Sequence, residues 1–292
     1  MAFHIPGNFE EHKTSATLRV LTWNLSAWGQ SNAADQKKSN NQEQMIGLVN
    51  KINADIVCFQ EYVYYNNKKM QDSILPALKG NGYQYSYFVP TKFNEHLYKT
   101  TWLQTTIIIS KYPIVDTSHL FYTDEQLIEP LIYADINVNG QIIRVFTTHL
   151  ESVRFVRSDA IGLRNWKQPF RGTLGAIRLM AYKLRNAYRA RDLQAETLNK
   201  KIKESPFPVI VCGDFNDVPN SYTYFTVKGK LQDAFLKKGS GFGKSLAMIP
   251  VFPLRIDYIL ADKKFDVTQC KVIEASYSDH YPIVADLTLP QN

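Results

Sequence analysis

Short runs of β-branched and aromatic residues recur along the chain, each bounded by Gly, Pro, Asn or Asp, which is the pattern of strands between turns. Eight stand out: Leu18–Trp23, Ile56–Phe59, Thr106–Ile109, Ile132–Val138, Ile142–Thr147, Val209–Cys212, Arg255–Leu260 and Pro282–Leu289. Asn139-Gly140 separates two of them and predicts a tight hairpin, because both central positions of the favoured turn need positive φ. Helical spacing is rarer. Glu43–Ile52 gathers Met45, Ile46, Leu48, Val49 and Ile52 on one face. Gly172–Ile202 places Leu174, Ile177, Ala181, Leu184, Tyr188, Ala195, Leu198 and Ile202 on a repeat of three and four, the mark of an amphipathic helix. Arg191 falls on that stripe and calls for a buried acid or carbonyl, since an unpaired charge there is costly. Strands interspersed with a few helices, one hairpin among them, predict a mixed or antiparallel α/β fold rather than a doubly wound parallel one.

Composition narrows the class without naming a chemistry. Hydrophobic residues make up 45% and charged residues 21% of the 292 positions, as in an ordinary globular protein. No apolar run approaches the ~18 residues of a membrane span, and the polar start lacks a signal peptide's apolar core. The chain as given is therefore expected to be soluble, and nothing in its composition assigns a compartment. Residues 1–17 are expected to form an arm, of the kind left when a chain is cut from a longer, membrane-anchored parent. With no repeat or linker after it, residues 18–292 are expected to form one domain. Cys58, Cys212 and Cys270 show neither zinc spacing nor an even disulfide count, and the first two sit in apolar runs as small hydrophobes.

Charge adds a local feature. Between Arg154 and Lys203 there are 13 Lys/Arg against Asp159, Asp192 and Glu196, so this segment carries +10 while the whole chain carries +7. A basic surface attracts polyanions or anionic headgroups; a solvated helix face is the bland alternative.

Polar groups collect at the ends of the predicted strands. Asn24 follows the first, Gln60-Glu61 the second, His149 the hairpin's second strand and Asp214-Phe215-Asn216 the run at Val209–Cys212. Asp257 lies in Arg255–Leu260, and Ser278-Asp279-His280 precedes the last strand. Singly, each reads as a turn residue. Six such groups at strand edges point instead to one site held on rigid elements. The set contains carboxylates, amides and imidazoles, with no nucleophile elbow and no Walker loop. Oxygen donors of this kind suit a hard cation such as Mg²⁺, which keeps waters and binds a substrate's phosphate. The histidines suit hydrogen bonding to phosphoryl oxygens.

These clusters resemble the endonuclease/exonuclease/phosphatase superfamily, also called DNase I-like. The matching stretches are Leu21-Thr22-Trp23-Asn24, Phe59-Gln60-Glu61, Thr148-His149-Leu150, Gly213-Asp214-Phe215-Asn216, Arg255-Ile256-Asp257-Tyr258 and Ser278-Asp279-His280-Tyr281-Pro282. The resemblance implies a four-layer α/β/β/α sandwich of two mixed, mostly antiparallel sheets. It further implies Mg²⁺-dependent hydrolysis of a phosphodiester or phosphomonoester by in-line attack of water, with Mn²⁺ as a substitute metal. Glu61 then resembles the principal metal ligand, with Asn24 beside it contacting metal-bound water or phosphate; Asp279 resembles either a second metal contact or a leaving-group partner. Asp214 resembles the group that activates water, and Asn216 helps hold it and the phosphate. His280 contacts phosphate or acts as base, with Asp257 fixing its tautomer; His149 contacts phosphate or assists the leaving group.

Within the superfamily, the Arg-Ile-Asp-Tyr form at Asp257 and Val211-Cys212 before Gly213 depart from the inositol-phosphatase branch. The Arg-Ile-Asp-Tyr form and the stretch Asp214–Ser221 resemble the nuclease, deadenylase and sphingomyelinase-like branches. Thr105-Thr106 stands where many members carry glycine, a change expected to affect packing rather than chemistry. For the basic segment two partners fit: nucleic acid, with Trp166, Phe170 and Tyr182 interleaved for stacking, and a membrane surface. No protein partner is indicated. The rival functions are a sphingomyelinase-like or small-molecule phosphoesterase and a catalytically inactive phosphate-binding module.

Overall fold

The computed structural model describes residues 9–11, 13, 17–29, 38–65, 74–91, 102–122, 129–153, 171–247 and 252–289. Two six-stranded sheets lie face to face. The first contains β1 (Thr17–Asn24), β2 (Ile56–Tyr65), β3 (Tyr85–Phe88), β4 (Trp102–Ser110), β11 (Asp266–Val272) and β12 (Ile283–Thr288), in the order β11-β12-β1-β2-β4-β3. The second contains β5 (Ile114–Leu120), β6 (Leu131–Val138), β7 (Gln141–His149), β8 (Val209–Asp214), β9 (Gln232–Asp233) and β10 (Asp257–Ala261), in the order β5-β6-β7-β8-β10-β9. Each sheet is antiparallel except for one central pair, β1 with β2 and β7 with β8. This is the mixed, mostly antiparallel architecture that the pattern predicts.

Alternation along the strands explains the layers. Leu18 and Val20 of β1 face the second sheet and pack with Ile56, Ile108, Ile136, Val145 and Ile210. Leu21 and Trp23 face outward, where Met45, Val49 and Ile52 of α2 (Lys38–Ile52) cover them. On the opposite outer face, Ala195 and Leu198 of α4 (Arg171–Lys203) cover Phe146 and Val211. Helices thus flank the paired sheets on both sides, giving the α/β/β/α layering. Among the described residues four short helices join these: α1 (Ser26–Gly29), α3 (Ile74–Lys79), α5 (Tyr222–Lys228) and α6 (Ala234–Lys238). All three cysteines are free thiols buried in the core between the sheets.

The hairpin at Asn139-Gly140 forms with φ of 54° and 94°, and pairs Val138 with Gln141. Arg191, buried on the helix stripe, has both expected kinds of partner: its Nη1 donates to Glu151 O (2.9 Å) and its Nε to Asp217 Oδ2 (3.3 Å). The threonines at the glycine positions replace the missing space with hydrogen bonds, from Thr105 Oγ1 to Val89 O (2.7 Å) and from Thr106 Oγ1 to Pro130 O (2.9 Å). Among the described residues, no helix is long and apolar enough to cross a membrane. Most of residues 1–17, Trp166, Phe170 and the rest of the basic stretch at 154–170 lie outside the described residues.

Candidate active site

Strand register in the second sheet lines up three of the anticipated groups. His149 pairs with Asp214, and Asp214 pairs with Asp257, so β7, β8 and β10 present them in one row at one rim. Gly213 makes the close approach possible. Its φ is +147°, and a Cβ there would fall inside the contact distance of Thr148 O on β7 and 3.1 Å from Thr148 C and N.

The first sheet contributes Asn24 and Glu61. The pattern ends the second strand at Phe59, with Glu61 beyond it; the structure corrects this. β2 continues to Tyr65 through a one-residue bulge between Phe59 and Tyr62, and Glu61 sits on the bulge with φ +50°. An extra residue in one strand re-aims a side chain, and Glu61 keeps a quarter of its side-chain surface open. Gln104 Nε2 donates to Glu61 Oε2 (3.0 Å). Asn24 Nδ2 donates to Asp214 Oδ2 (3.0 Å) and Glu61 Oε1 (3.3 Å), while its Oδ1 accepts from Ser26 N (2.8 Å). One amide therefore ties the two sheets together at the rim. Beneath it, Gln60 Nε2 donates to Thr147 Oγ1 (2.9 Å) and Thr22 Oγ1 (3.2 Å), a second bridge between the sheets.

Both histidines are held through Nδ1. His280 Nδ1 donates to Asp257 Oδ2 (2.9 Å), and its backbone is pinned from Trp23 Nε1 to His280 O (2.9 Å) and from His280 N to Ser278 Oγ (3.1 Å). His149 Nδ1 donates to Glu129 Oε1 (3.0 Å), whose other oxygen accepts from Glu61 N (3.1 Å). Glu129 is absent from the sequence-derived set. Its signal lay in the hairpin: the register Ile132 to Thr147, extended by two residues, sets Pro130 opposite His149 and Glu129 next to it. The free Nε2 atoms of His149 and His280 each lie 3.7 Å from Asp214 Oδ2. Asn216, at φ +51°, donates from its backbone N to Asp214 Oδ1 (2.8 Å) and from Nδ2 to Leu150 O (2.9 Å). Asp279 is half-buried, and its charge reaches Glu61 and His280. All eight residues singled out from the sequence thus gather at one rim.

Five carboxylates surround two imidazoles. Burial alone would push both histidines down, but Asp257 and Asp214 around His280, and Glu129, Asp214 and Glu61 around His149, reverse it. Both are raised from 6.5 to about 10. Burial and Asp257 raise the Asp214 carboxyl, with the two histidines opposing. Burial likewise raises Glu61, against the pull of His149. Negative charge remains in excess, and Asp257 Oδ1 is buried without a hydrogen-bond partner. A cation fits such a place. Ligand atoms of Asp214, Asp257 and His280 lie within 4.8 Å of one another and could hold a metal ion. That group adjoins the Glu61–Asn24–Asp279 set through the Asn24 amide.

Comparison with known proteins bears on the family and the fold. The model of the endonuclease/exonuclease/phosphatase family matches residues 21–280. An endonuclease/exonuclease/phosphatase from Beutenbergia cavernae superposes with a TM-score of 0.68 at 18% identity, covering 94% of this chain and 72% of that one. A Bacteroides vulgatus protein of the same description gives 0.66 at 19% identity, covering 95% and 100%. The human Nocturnin catalytic domain gives 0.63 at 18% identity, covering 93% and 94%. At these identities the likeness establishes the fold. No curated protein matches the sequence.

Proposed function

We propose that this chain, which belongs to the endonuclease/exonuclease/phosphatase family, hydrolyses a phosphodiester or phosphomonoester by in-line attack of water on phosphorus. One observation carries the reading: two imidazoles, each anchored through Nδ1 by its own carboxylate, face the same buried Asp214 through Nε2. Paired N–H donors suit the non-bridging oxygens of a phosphoryl group, over which charge spreads in the transition state. The human Nocturnin catalytic domain was solved with a bound sulfate, an anion of similar shape.

In this reading Asp214 orients the water and takes its proton as the new P–O bond forms. The environment that raises its carboxyl also makes it a better base near neutral pH. Asn216 fixes Asp214, and Asn24 steadies Asp214 and Glu61 together. His280, oriented by Asp257, donates to a phosphate oxygen. His149, oriented by Glu129, directs its one free N–H at the leaving oxygen and protonates it as the ester bond breaks. Glu61, with Asn24 and Asp279 beside it, would hold Mg²⁺ or Mn²⁺. His280 Nδ1 is committed to Asp257, which leaves Nε2 to face either the phosphate or an ion held beside Asp214. When bound, the ion supplies neutralising charge at the phosphate.

The test is a panel of bis(p-nitrophenyl) phosphate, single- and double-stranded DNA, abasic DNA, RNA and sphingomyelin, with Mg²⁺, with Mn²⁺ and with chelator. Metal-dependent release is expected on at least one substrate. Glu61→Gln, Asp214→Asn and His280→Ala should each lose about a hundredfold or more in turnover. Near-normal turnover of Glu61→Gln and His280→Ala in Mg²⁺ would sink the assignment. An inert panel with retained phosphate binding would identify an inactive binding module instead.

A further inference from the structure

The two halves of α4 have different surroundings. In the C-terminal half Ala195 and Leu198 are buried in the outer core, and Asn199 Nδ2 donates to Thr226 O (2.6 Å). In the N-terminal half, among the described side chains from Gly175 to Ala190, only Ala187 is buried. Direction follows from the partners. Arg191 and Gln194 grip Glu151, two residues beyond His149 at the rim. The helix ends at Lys203, which leads into β8, the strand that runs back to Asp214. It therefore runs from rim to base, and Arg171–Ala190, about 30 Å long at ~1.5 Å per residue, lies on the rim side of the Arg191 anchor.

The N-terminal half has two chemical faces. Ile177, Met180, Ala181, Leu184 and Tyr188 repeat at three and four residues and continue the stripe that is buried farther along. Ile177 is 49% exposed there. Arg178, Arg185 and Arg189 form an exposed row along one flank, and Lys183 lies on the other. Residues 171–203 hold nine Lys/Arg against Asp192 and Glu196, a net +7 equal to that of the whole chain, so the remainder is neutral overall. A nucleic acid would use the cations and the tyrosines but gains nothing from exposed aliphatic side chains. An anionic bilayer uses both faces: aliphatic groups enter the boundary below the headgroups while arginines meet the phosphates.

We propose that the N-terminal half of α4 docks on an anionic lipid surface, holding the mouth of the cleft beside it. Docking needs no turnover, so it stands or falls separately from the catalytic reading. The test is co-sedimentation with equimolar phosphatidylglycerol/phosphatidylcholine vesicles and with pure phosphatidylcholine vesicles, beside a double-stranded DNA shift at the same salt. Wild type should partition to the anionic vesicles at least about tenfold more strongly. Each cation near such a surface contributes about fivefold, so R178Q/R185Q/R189Q should weaken partition by roughly a hundredfold. I177E/A181E, at two exposed positions, should weaken it about tenfold or more. Both variants should keep the wild-type circular dichroism spectrum and Tm. Wild type remaining in the supernatant overturns the proposal. So does I177E/A181E with full vesicle affinity alongside DNA binding lost in the arginine variant, which marks a nucleic-acid surface. Self-association abolished by I177E/A181E, without vesicle binding, assigns the face to a second copy.

Discussion

Gly213→Ala tests whether strand spacing sets the catalytic geometry. The added methyl would overlap Thr148 O and come within 3.1 Å of Thr148 C and N, all backbone atoms of the neighbouring strand. No side chain can swing aside to relieve this, so β7 and β8 must part by about 1 Å. Overpacking of this kind costs about 1–3 kcal/mol, and alanine held at φ +147° costs about 1–3 kcal/mol more. At about 2 °C per kcal/mol for a chain of this size, Tm should fall by roughly 4–12 °C. The clash lies one residue from the pair His149–Asp214. A displacement near 1 Å between catalytic groups costs about a hundredfold in rate, so turnover should fall that far even well below Tm. Scanning calorimetry and a steady-state assay on bis(p-nitrophenyl) phosphate measure both. Gly47→Ala is the control: it adds a methyl into open space inside α2, and should stabilise by about 0.5–1 kcal/mol without touching turnover. If Gly213→Ala matched wild type in both Tm and turnover, the strand-spacing argument would fail.

Three further outcomes follow from the same geometry. Glu129→Gln removes the charge behind His149 and one acceptor of Glu61 N; turnover should drop by about a hundredfold or more, and unchanged kinetics would remove Glu129 from the site. In chelator, the raised histidines stabilise the fold fully below about pH 6.5, the unfolded value, and that contribution fades as pH rises toward about 10. Urea midpoints should therefore decline across that window, less steeply in His280→Gln; identical slopes would contradict the pairing. Arg191→Met leaves Asp217 and Glu151 O without their buried cation and should cost about 3–5 kcal/mol in urea unfolding; a loss under 1 kcal/mol would make the contact incidental.

Much of this was legible in the chain because strand ends announce themselves. Asp214 closes a strand that is apolar throughout, and Asn24 and His149 close runs rich in β-branched and aromatic residues, so each polar end is visible. Glu61 was found for an incomplete reason, since a bulge inside a continuing strand looks in sequence like a strand that has stopped. Strands β3, β5 and β11 escaped because they lie at or near sheet margins: β3 reads Tyr-Ser-Tyr-Phe, and β5 carries Asp116, Thr117, Ser118 and His119 among its apolar residues. A margin strand needs no two-sided apolar run. Glu129 stands in no motif, and only hairpin register carries it to His149. The exposure of the first half of α4 was equally hidden, because its apolar repeat matches that of the packed half.

Strand order also bears on how the chain can be divided. The first sheet takes β1–β4 from the early part of the chain and β11–β12 from its end, while the second takes β5–β7 and then β8–β10. A cut between residues 153 and 171 would leave Asn24, Glu61, Glu129 and His149 on one fragment and Asp214, Asn216, Asp257 and His280 on the other. Neither fragment contains a whole sheet. The two pieces should be inert alone and regain activity only on mixing, so product formation would report the meeting of two polypeptides and make the chain a candidate split reporter.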